Sequence, residues 1–255
     1  MNELTNTRGS NGMLRGFSSL ACLLEGVRLL SQPQLRIFIL VPLAINFVLF
    51  LFATALLIQQ FSGALDWLME WLPGWLDFLA WILWLLFAFT ILLVYGYSFS
   101  LVTNLIAAPF NGLLAEKIEA HLTGEAPPYE PLSQMIPRTL GRELLKLWYF
   151  ISRGLFVALG LLLLSFIPGL NLLVWVLGLL WGAWSMAIQY VDYPADNHQL
   201  PFIDLRLHLG RFRLNSFSFG GLVMLGNMVP LLNVFVMPIA VAGATVFWIK
   251  SNGRV

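Results

Sequence analysis

The sequence predicts an all-α integral membrane protein with two long transmembrane helices, two re-entrant helical hairpins that penetrate the membrane partly, and amphipathic interfacial helices. Of the 255 residues, 59% are hydrophobic and only 11% are charged, a composition typical of membrane proteins. Long stretches of the chain carry no charge at all. Two of them, residues 154–191 and 214–249, are each interrupted near the middle by a proline, which predicts helical pairs rather than single long helices.

The first predicted element is an amphipathic helix over residues 13–31, in a chain interpreted as one membrane domain over residues 1–255. Apolar side chains recur there at helical spacing, and Arg15 and Arg28 lie among them. A helix of this kind lies in the interface between lipid and water. Pro33 ends it, because the residue before a proline disfavours helix.

Two long transmembrane helices follow, over residues 35–61 and 78–122. The second carries a charge-free run of about 38 residues, and as a helix it would reach about 57 Å. This exceeds a hydrocarbon core of about 30 Å, so we expect it to extend beyond the bilayer or to break at Pro109. Gly124 is a plausible stop. The connecting loop carries an aromatic belt of residues spaced by four, namely Trp67, Trp71 and Trp75.

A second interfacial helix is predicted over residues 137–153, with Pro137 at its first position. It carries four cations among apolar and aromatic residues. The simpler interpretation is that these cations face lipid headgroups. The alternative is a surface that attracts an anionic substrate.

The two hairpins are predicted over residues 154–191 and 214–249. The first is broken at Pro168-Gly169, which leaves an arm of about 14 residues or about 21 Å, too short for a hydrocarbon core of about 30 Å. The second is broken at Pro230. Aligned on the prolines, the breaks read I-P-G-L-N-L-L-V and V-P-L-L-N-V-F-V.

The distribution of basic residues predicts the orientation. All 14 Lys and Arg lie at or before Arg36, or at or after Lys117. The positive-inside rule therefore places the N-terminus and residues 116–153 in the cytoplasm and the Trp-rich loop outside. With two hairpins after residue 153, the C-terminus is cytoplasmic as well. If the charge-free runs 154–191 and 214–249 each crossed the membrane once, Arg206, Arg211 and Arg213 would lie outside the cell. If each run forms a hairpin, these arginines stay in the cytoplasm. The rule does not separate partial penetration from two tight full crossings, but the short arms favour partial penetration.

Motifs of catalysis are absent from the sequence. It has no phosphate-binding loop, no H-E-x-x-H and no G-x-S-x-G. A single cysteine cannot form a cysteine-based metal cluster. A net charge of +1 lacks the strong positive charge that is typical of nucleic-acid-binding proteins. We therefore expect no enzyme, no cofactor and no metal. A metal site at Asp192, Asp196 and His198 is the alternative to a polar turn that caps a helix end.

Two groups of residues are candidates for binding an anion. The first is a set of amides that line a pore or hairpin tip, or else hydrogen bond between helices: Asn46, Asn104, Asn111, Asn171 and Asn233. Asn171 and Asn233 each follow a break, where they would cap the returning half-helix and its dipole would favour an anion. The second group is Gly26-Val27-Arg28, where glycine allows close approach and arginine supplies donors for an oxyanion. Its alternative role is contact with lipid phosphate.

Several longer stretches resemble the CysZ sulfate-uptake proteins of bacterial inner membranes, and the resemblance covers residues 14 to 250. It rests on Ser31-Gln32-Pro33, on Ala107-Ala108-Pro109-Phe110-Asn111-Gly112-Leu113-Leu114-Ala115-Glu116, and on Ala187-Ile188-Gln189-Tyr190. It continues through Asp192-Tyr193-Pro194, Asp196-Asn197-His198, Pro230-Leu231-Leu232-Asn233 and Met237-Pro238.

The resemblance implies sulfate import for cysteine synthesis, and a sulfate site at Gly26-Val27-Arg28, where valine replaces the family's leucine. It also implies a homo-oligomer with protomers in opposed orientations, although the one-sided distribution of Lys and Arg argues against opposed insertion. We expect a channel-like pathway. A proton-coupled symporter that uses Glu116, Glu119 or Asp192, and a non-conducting membrane scaffold, are the alternatives.

Overall fold

The computed structural model describes residues 18–71, 73–76, 78–229 and 233–253. All regular secondary structure in these ranges is helical. The α-helices are α1 (Ser19–Leu30), α2 (Pro33–Glu70), α3 (Phe78–Thr123), α4 (Leu132–Ser165), α5 (Asn171–Asn197), α6 (Phe202–Arg211), α7 (Arg213–Asn227) and α8 (Asn233–Ser251), and a short 3-10 helix covers Gly74–Leu76.

Four helical segments are long and apolar enough to cross a membrane, as judged by length and composition. Because each crossing needs about 20 apolar residues, the chain is a multi-pass membrane protein. The four are Pro33–Glu70, Gly74–Ile91, Leu132–Ser165 and Asn171–Asn197.

The chain divides into two compact units, one formed by Ile39–Ala107 and the other by Met1–Phe38 with Ala108–Val255. In the first unit, aromatic rings join α2 to α3. The ring of Phe61 stacks on that of Phe87 with centroids 3.8 Å apart, and it meets Trp84 edge-on at 4.8 Å. Most other apolar side chains described in this unit are exposed, as expected of helices that face lipid.

Helix α5 lies at the centre of the second unit, where α4, α6, α7 and α8 all pack against it, while α1 packs on α7 and α8. Small residues allow two of these close approaches. A Cβ added at Gly220 of α7 would overlap the carbonyl of Ala183 in α5. The second approach joins α1 to α8 through Gly26 and Gly243.

Helices α4 and α5 form an antiparallel pair. Near their connection, a Cβ added at Gly178 would lie 3.7 Å from Cδ1 of Leu161. Farther from it, the indole nitrogen of Trp184 donates to the hydroxyl of Tyr149 over 3.4 Å. The predicted break is present, because α4 ends at Ser165 and α5 begins at Asn171.

The break uses a glycine in the left-handed region, since Gly169 has φ +88°. Asn171 does not cap the returning helix as predicted. Leu170 holds the N-cap position and no side chain hydrogen bonds there, because Asn171 is already the first helical residue. The break predicted at Pro230 lies outside the described residues.

Two of the other proline predictions need correction. Pro109 lies inside α3 and the helix continues through it. Pro137 lies inside α4 rather than at its start. There the N–H groups of Gln134 and Met135 donate to the carbonyl of Pro131 over 2.9 and 3.0 Å, so the first turn forms before the proline. The predicted stop at Gly124 is confirmed, since α3 ends at Thr123 and Gly124 has φ +76°.

Candidate functional site

The structure places Gly26, Val27 and Arg28 in the last half of α1, just before α2 begins. Gly26 is buried, and a Cβ added there would lie 2.6 Å from the backbone nitrogen of Gly243 in α8. Gly26 therefore allows two helices to approach closely. The sequence predicted that this glycine would let a ligand approach the backbone. In the structure its backbone belongs to a continuous helix, and it is α8 that approaches it.

Val27 and Arg28 face outward from the same turn and are exposed. Among the residues that the structure describes, no carboxylate forms an ion pair with Arg28. The turn that follows is held locally, since the Ser31 hydroxyl donates to the carbonyl of Val27 over 3.3 Å and Arg36 donates to the carbonyl of Ser31 over 2.9 Å. Arg28 thus presents a guanidinium that an oxyanion can reach.

The candidate amides do not form one site in the described structure. Asn111 is buried in α3 and its Nδ2 has no hydrogen-bond partner among the described residues. Asn171 is exposed at the start of α5. The remaining three predictions fall on side chains outside the described part of the structure, namely Asn46, Asn104 and Asn233.

The three candidate carboxylates differ in their surroundings. Glu116 is partly exposed, and its Oε1 lies 3.8 Å from Nζ of the neighbouring Lys117. Glu119 is buried, and its Oε1 lies 2.8 Å from Nε2 of His198. Asp192 is as enclosed as Glu119, each at 1% exposed, and it lies inside α5.

Asp192 belongs to a ladder of ion pairs that joins α5 to α4. The Arg142 guanidinium donates through Nε and Nη2 to Oδ1 of Asp192, over 2.9 and 2.7 Å. One turn along, the Arg138 guanidinium contacts the carboxylate of Asp196. Both pairs use residues four apart on their own helix, which places them on one face.

Lys146 extends the ladder into the protein interior. It is 1% exposed, and its Nζ lies 3.2 Å from Oδ2 of Asp192 and 2.6 Å from Oε1 of Glu143. The ammonium also lies 4.4 Å from the centroid of the Tyr193 ring, a cation–π contact. A buried charge is tolerated only with such partners.

The ladder corrects the expectation that the basic stretch faces lipid headgroups. Arg138, Arg142 and Lys146 point toward α5, because its carboxylates supply the charge that buried cations need. Arg153 alone of the four is exposed. The signal in the sequence was the matched spacing of three cations and two aspartates, although sequence alone does not show that the two helices meet.

The residues considered for a metal site have separate partners. Asp192 and Asp196 each pair with cations of α4, and His198 pairs with Glu119. Within the described ranges, no group of three or more His, Cys, Asp or Glu is arranged to hold a metal ion. The amide of Asn197 also donates to the carbonyl of Gly112 over 2.8 Å, so this end of α5 is fixed against α3.

Two groups outside the long apolar helices have altered pKa values. Burial raises the pKa of the Cys22 thiol to about 11, against the opposing effect of Lys250, so the thiol is protonated at neutral pH. Burial and then the charge of Arg211 lower the pKa of His208. The imidazole of His208 lies 2.9 Å from the hydroxyl of Ser251.

The chain is similar to known transporters over most of its length. A family profile described as "Sulfate transporter CysZ/Etoposide-induced protein 2.4" matches residues 22–238. Proteins named "Sulfate transporter CysZ" from Pseudomonas paraeruginosa, Pseudomonas fluorescens and Pseudomonas syringae pv. tomato are 46%, 49% and 47% identical to it. Each alignment covers 90% of this chain, and 94%, 92% and 90% of the respective relative.

Proposed function

Because the chain belongs to the sulfate transporter CysZ family, we propose that it carries sulfate inward across a bacterial inner membrane for assimilation into cysteine. The family consists of transporters rather than enzymes. The observation that carries the proposal is 46% to 49% identity to proteins named sulfate transporters, over 90% of this chain. The exposed Arg28, which has no ion pair among the described residues, adds a group able to bind the anion.

Sulfate binds at Gly26-Val27-Arg28 in this proposal, with Arg28 as the direct contact. Its guanidinium offers several donors in a plane, which suits a tetrahedral oxyanion. Gly26 acts through packing, because it lets α1 lie against α8 and so fixes where Arg28 emerges. Val27 lies beside Arg28 on the exposed side of the helix.

The membrane topology we propose has two long transmembrane helices and two re-entrant hairpins, with both termini in the cytoplasm. Two observations support it. No Lys or Arg lies between Arg36 and Lys117, so the loop that joins the first two long helices carries no basic residue. The ion pairs of α4 with α5 lie at the end away from the break at Gly169. The start of α4 and the end of α5 therefore both carry charged residues, which suits a position of both at the same aqueous side of the membrane.

Labelling of single cysteines tests the topology in a Cys22→Ser background. Gly169→Cys places a thiol at the hairpin tip, and Trp71→Cys serves as a control in the loop predicted to face outside. A re-entrant tip resists a membrane-impermeant maleimide that labels the control in intact cells. Equal labelling of the two positions would show that the pair crosses completely.

Transport is channel-like in this proposal and is driven by consumption of sulfate inside the cell. Moving two negative charges inward against 100 mV costs about 4.6 kcal/mol, at about 2.3 per charge. The sequence has no nucleotide-binding loop to offset this cost. A proton-coupled symporter is the second candidate, because the buried carboxylate of Glu119 pairs with the partly exposed imidazole of His198. Glu116 lies about one turn before Glu119 on α3, and Asp192 lies on α5.

Sulfate flux into liposomes that contain the purified full-length protein separates the two mechanisms. A channel-like pathway carries radiolabelled sulfate down its gradient at equal internal and external pH. Flux that appears only with an imposed pH gradient would favour the symporter. Absence of flux under both conditions would contradict transport by this protein alone and favour the non-conducting scaffold.

We also propose a homo-oligomer, as the resemblance to the family implies. The large apolar surface of α2 and α3 is available to lipid or to further copies of the chain. The mass of the detergent-solubilised protein, measured by light scattering with detergent subtracted, tests this. A protomer mass at all concentrations would contradict it.

A further inference from the structure

A groove of about 900 Å³ lies among α4, α5, α6 and α7, separate from Arg28 and from the ion-pair ladder. One part is apolar and is formed by the helices on either side of the α4–α5 break, with Leu161, Leu164, Leu177 and Leu180 among its walls. The other part carries three arginines, namely Arg206, Arg211 and Arg213.

The arginines of the groove have few acceptors for their donors. Among the described residues, none of the three forms an ion pair with a carboxylate. Arg213 donates through Nε to the carbonyl of Gly210 over 3.2 Å. The Nε of Arg206 is buried and has no hydrogen-bond partner in the described structure.

Two aromatic rings hold Arg206 in place. Its guanidinium carbon lies 4.8 Å from the centroid of the Tyr149 ring and 5.2 Å from that of Phe202. Stacking of this kind fixes the plane of a guanidinium while it leaves the donors at its edge unused. A cation held in this way, without a carboxylate partner and beside an apolar groove, is suited to a ligand that has both an anionic group and an apolar part.

We propose that this groove binds an anionic phospholipid, with its phosphate on the three arginines and its acyl chains along the leucines. An inorganic anion would use only the basic part, and a neutral lipid only the apolar part. Basic pockets between membrane helices on the cytoplasmic side are suited to anionic headgroups. Tryptophans of α5 line the groove as well, as is typical at headgroup level.

The groove can be altered at either part without disturbing the core. Arg211 and Arg213 are exposed, so the double variant Arg211→Gln/Arg213→Gln removes charge only. Gly160 lines the apolar part, and a Cβ added there meets nothing within 4 Å. Gly160→Leu therefore fills the groove without a clash at its first atom.

Matched controls exist on α4. Arg153 is exposed and lies outside the groove, so Arg153→Gln controls for loss of surface charge. A Cβ added at Gly141 also meets nothing within 4 Å, and Gly141 is not part of the groove. Gly141→Leu thus controls for the added side chain. Thermal unfolding shows which variants are folded, and either groove variant alone decides the test.

The experiment is native mass spectrometry of the delipidated full-length protein with phosphatidylglycerol, phosphatidylcholine or inorganic phosphate. We expect phosphatidylglycerol to be retained in preference to phosphatidylcholine. Each basic residue near the membrane surface contributes about fivefold to the attraction of anionic lipid, so the double arginine variant should retain about 25-fold less. Gly160→Leu should lower retention as well, and both controls should match the unaltered protein.

Three outcomes would overturn the proposal. The first is equal retention of the two lipids by the unaltered protein. The second is retention of phosphatidylglycerol at the unaltered level by either groove variant that is folded. The third is binding of inorganic phosphate as tight as that of phosphatidylglycerol, which would identify a site for a free anion. Sulfate flux can be measured on the same preparations, so failure of the lipid site and failure of transport are distinguishable.

Discussion

Gly26 of α1 and Gly243 of α8 lie directly against each other where the two helices cross. A Cβ added at Gly243 would lie 2.8 Å from Cδ2 of Leu23 and 3.2 Å from the carbonyl oxygen of Cys22, and a Cβ added at Gly26 would lie 2.6 Å from the nitrogen of Gly243. Two helices that approach this closely have no room for a side chain between them. The position of Arg28, two residues after Gly26, therefore depends on a contact on the opposite side of the same helix.

Gly26→Ala should separate α1 from α8 and destabilise the protein by about 1–3 kcal/mol, the usual cost of overpacking. Gly141→Ala is the matched control, because it has open space around it and such a change in a helix stabilises by about 0.4–1 kcal/mol. Thermal unfolding in detergent measures both. Equal stability of the two variants would contradict the close contact of Gly26 with Gly243.

Asp192→Asn should destabilise the protein by about 3–5 kcal/mol, because it leaves Arg142 and Lys146 buried without their shared counter-ion. Denaturant unfolding monitored by tryptophan fluorescence measures the loss. Glu116→Gln is the control, since its pair with Lys117 is 3.8 Å long and partly exposed, and such pairs contribute about 0–1 kcal/mol. A mild effect of Asp192→Asn, comparable to the control, would show that the ladder is not buried.

Arg28→Ala should weaken sulfate binding while the protein stays folded. A hydrogen bond to a charged group contributes about 1.5–3 kcal/mol, so we expect a loss of about 10- to 150-fold in affinity. Isothermal titration with sulfate measures it, and Arg153→Ala on the exposed side of α4 is the matched control. Unchanged affinity in Arg28→Ala would remove this residue from the proposed site.

The stability of the protein should fall as the pH is lowered below 6.5, through His208. Its pKa in the folded state is lower than the ordinary value of 6.5, because burial and Arg211 disfavour the charged imidazole. Above 6.5 the imidazole is neutral in both states and carries no penalty. Below 6.5 the unfolded state takes up the proton first, and the loss of stability continues until the pH passes the lowered pKa.

Unfolding temperatures of the unaltered protein and of His208→Gln, compared from pH 8 to pH 5, measure this contribution. The difference between the two proteins isolates His208 from the other titrating groups, because these are common to both. We expect the unaltered protein to lose more stability on acidification than the variant. Parallel curves would indicate that the pKa of His208 is not lowered.

Local signals in the sequence predicted much of the fold. Pro168 and Gly169 interrupt an apolar run, and Gly124 accepts a positive φ, so the helix ends that depend on them were found from sequence. The predicted break at Pro109 and the predicted helix start at Pro137 were wrong, because a proline removes one backbone hydrogen bond and a long helix tolerates that loss. A prediction that treats every proline as an end therefore shortens such helices.

The sequence proposed Arg28 for its residue type and its place before the first long helix, and its contact with sulfate stays a prediction. The role of Gly26 in packing was missed, because its partner Gly243 is more than 200 residues away in the chain. The ion-pair ladder was missed for the same reason, since Arg142 and Asp192 are 50 residues apart. Periodicity identifies the face of a helix but not the helix that covers it.

The distance along the chain between Arg142 and Asp192 also bears on how the protein is made. Arg142 leaves the ribosome 50 residues before its carboxylate partner, which corresponds to roughly 3 to 10 s of synthesis. Among the described residues no other carboxylate pairs with it. A nascent α4 therefore reaches the insertion machinery with an unneutralised guanidinium, and it can settle at its final depth only once α5 has been translated.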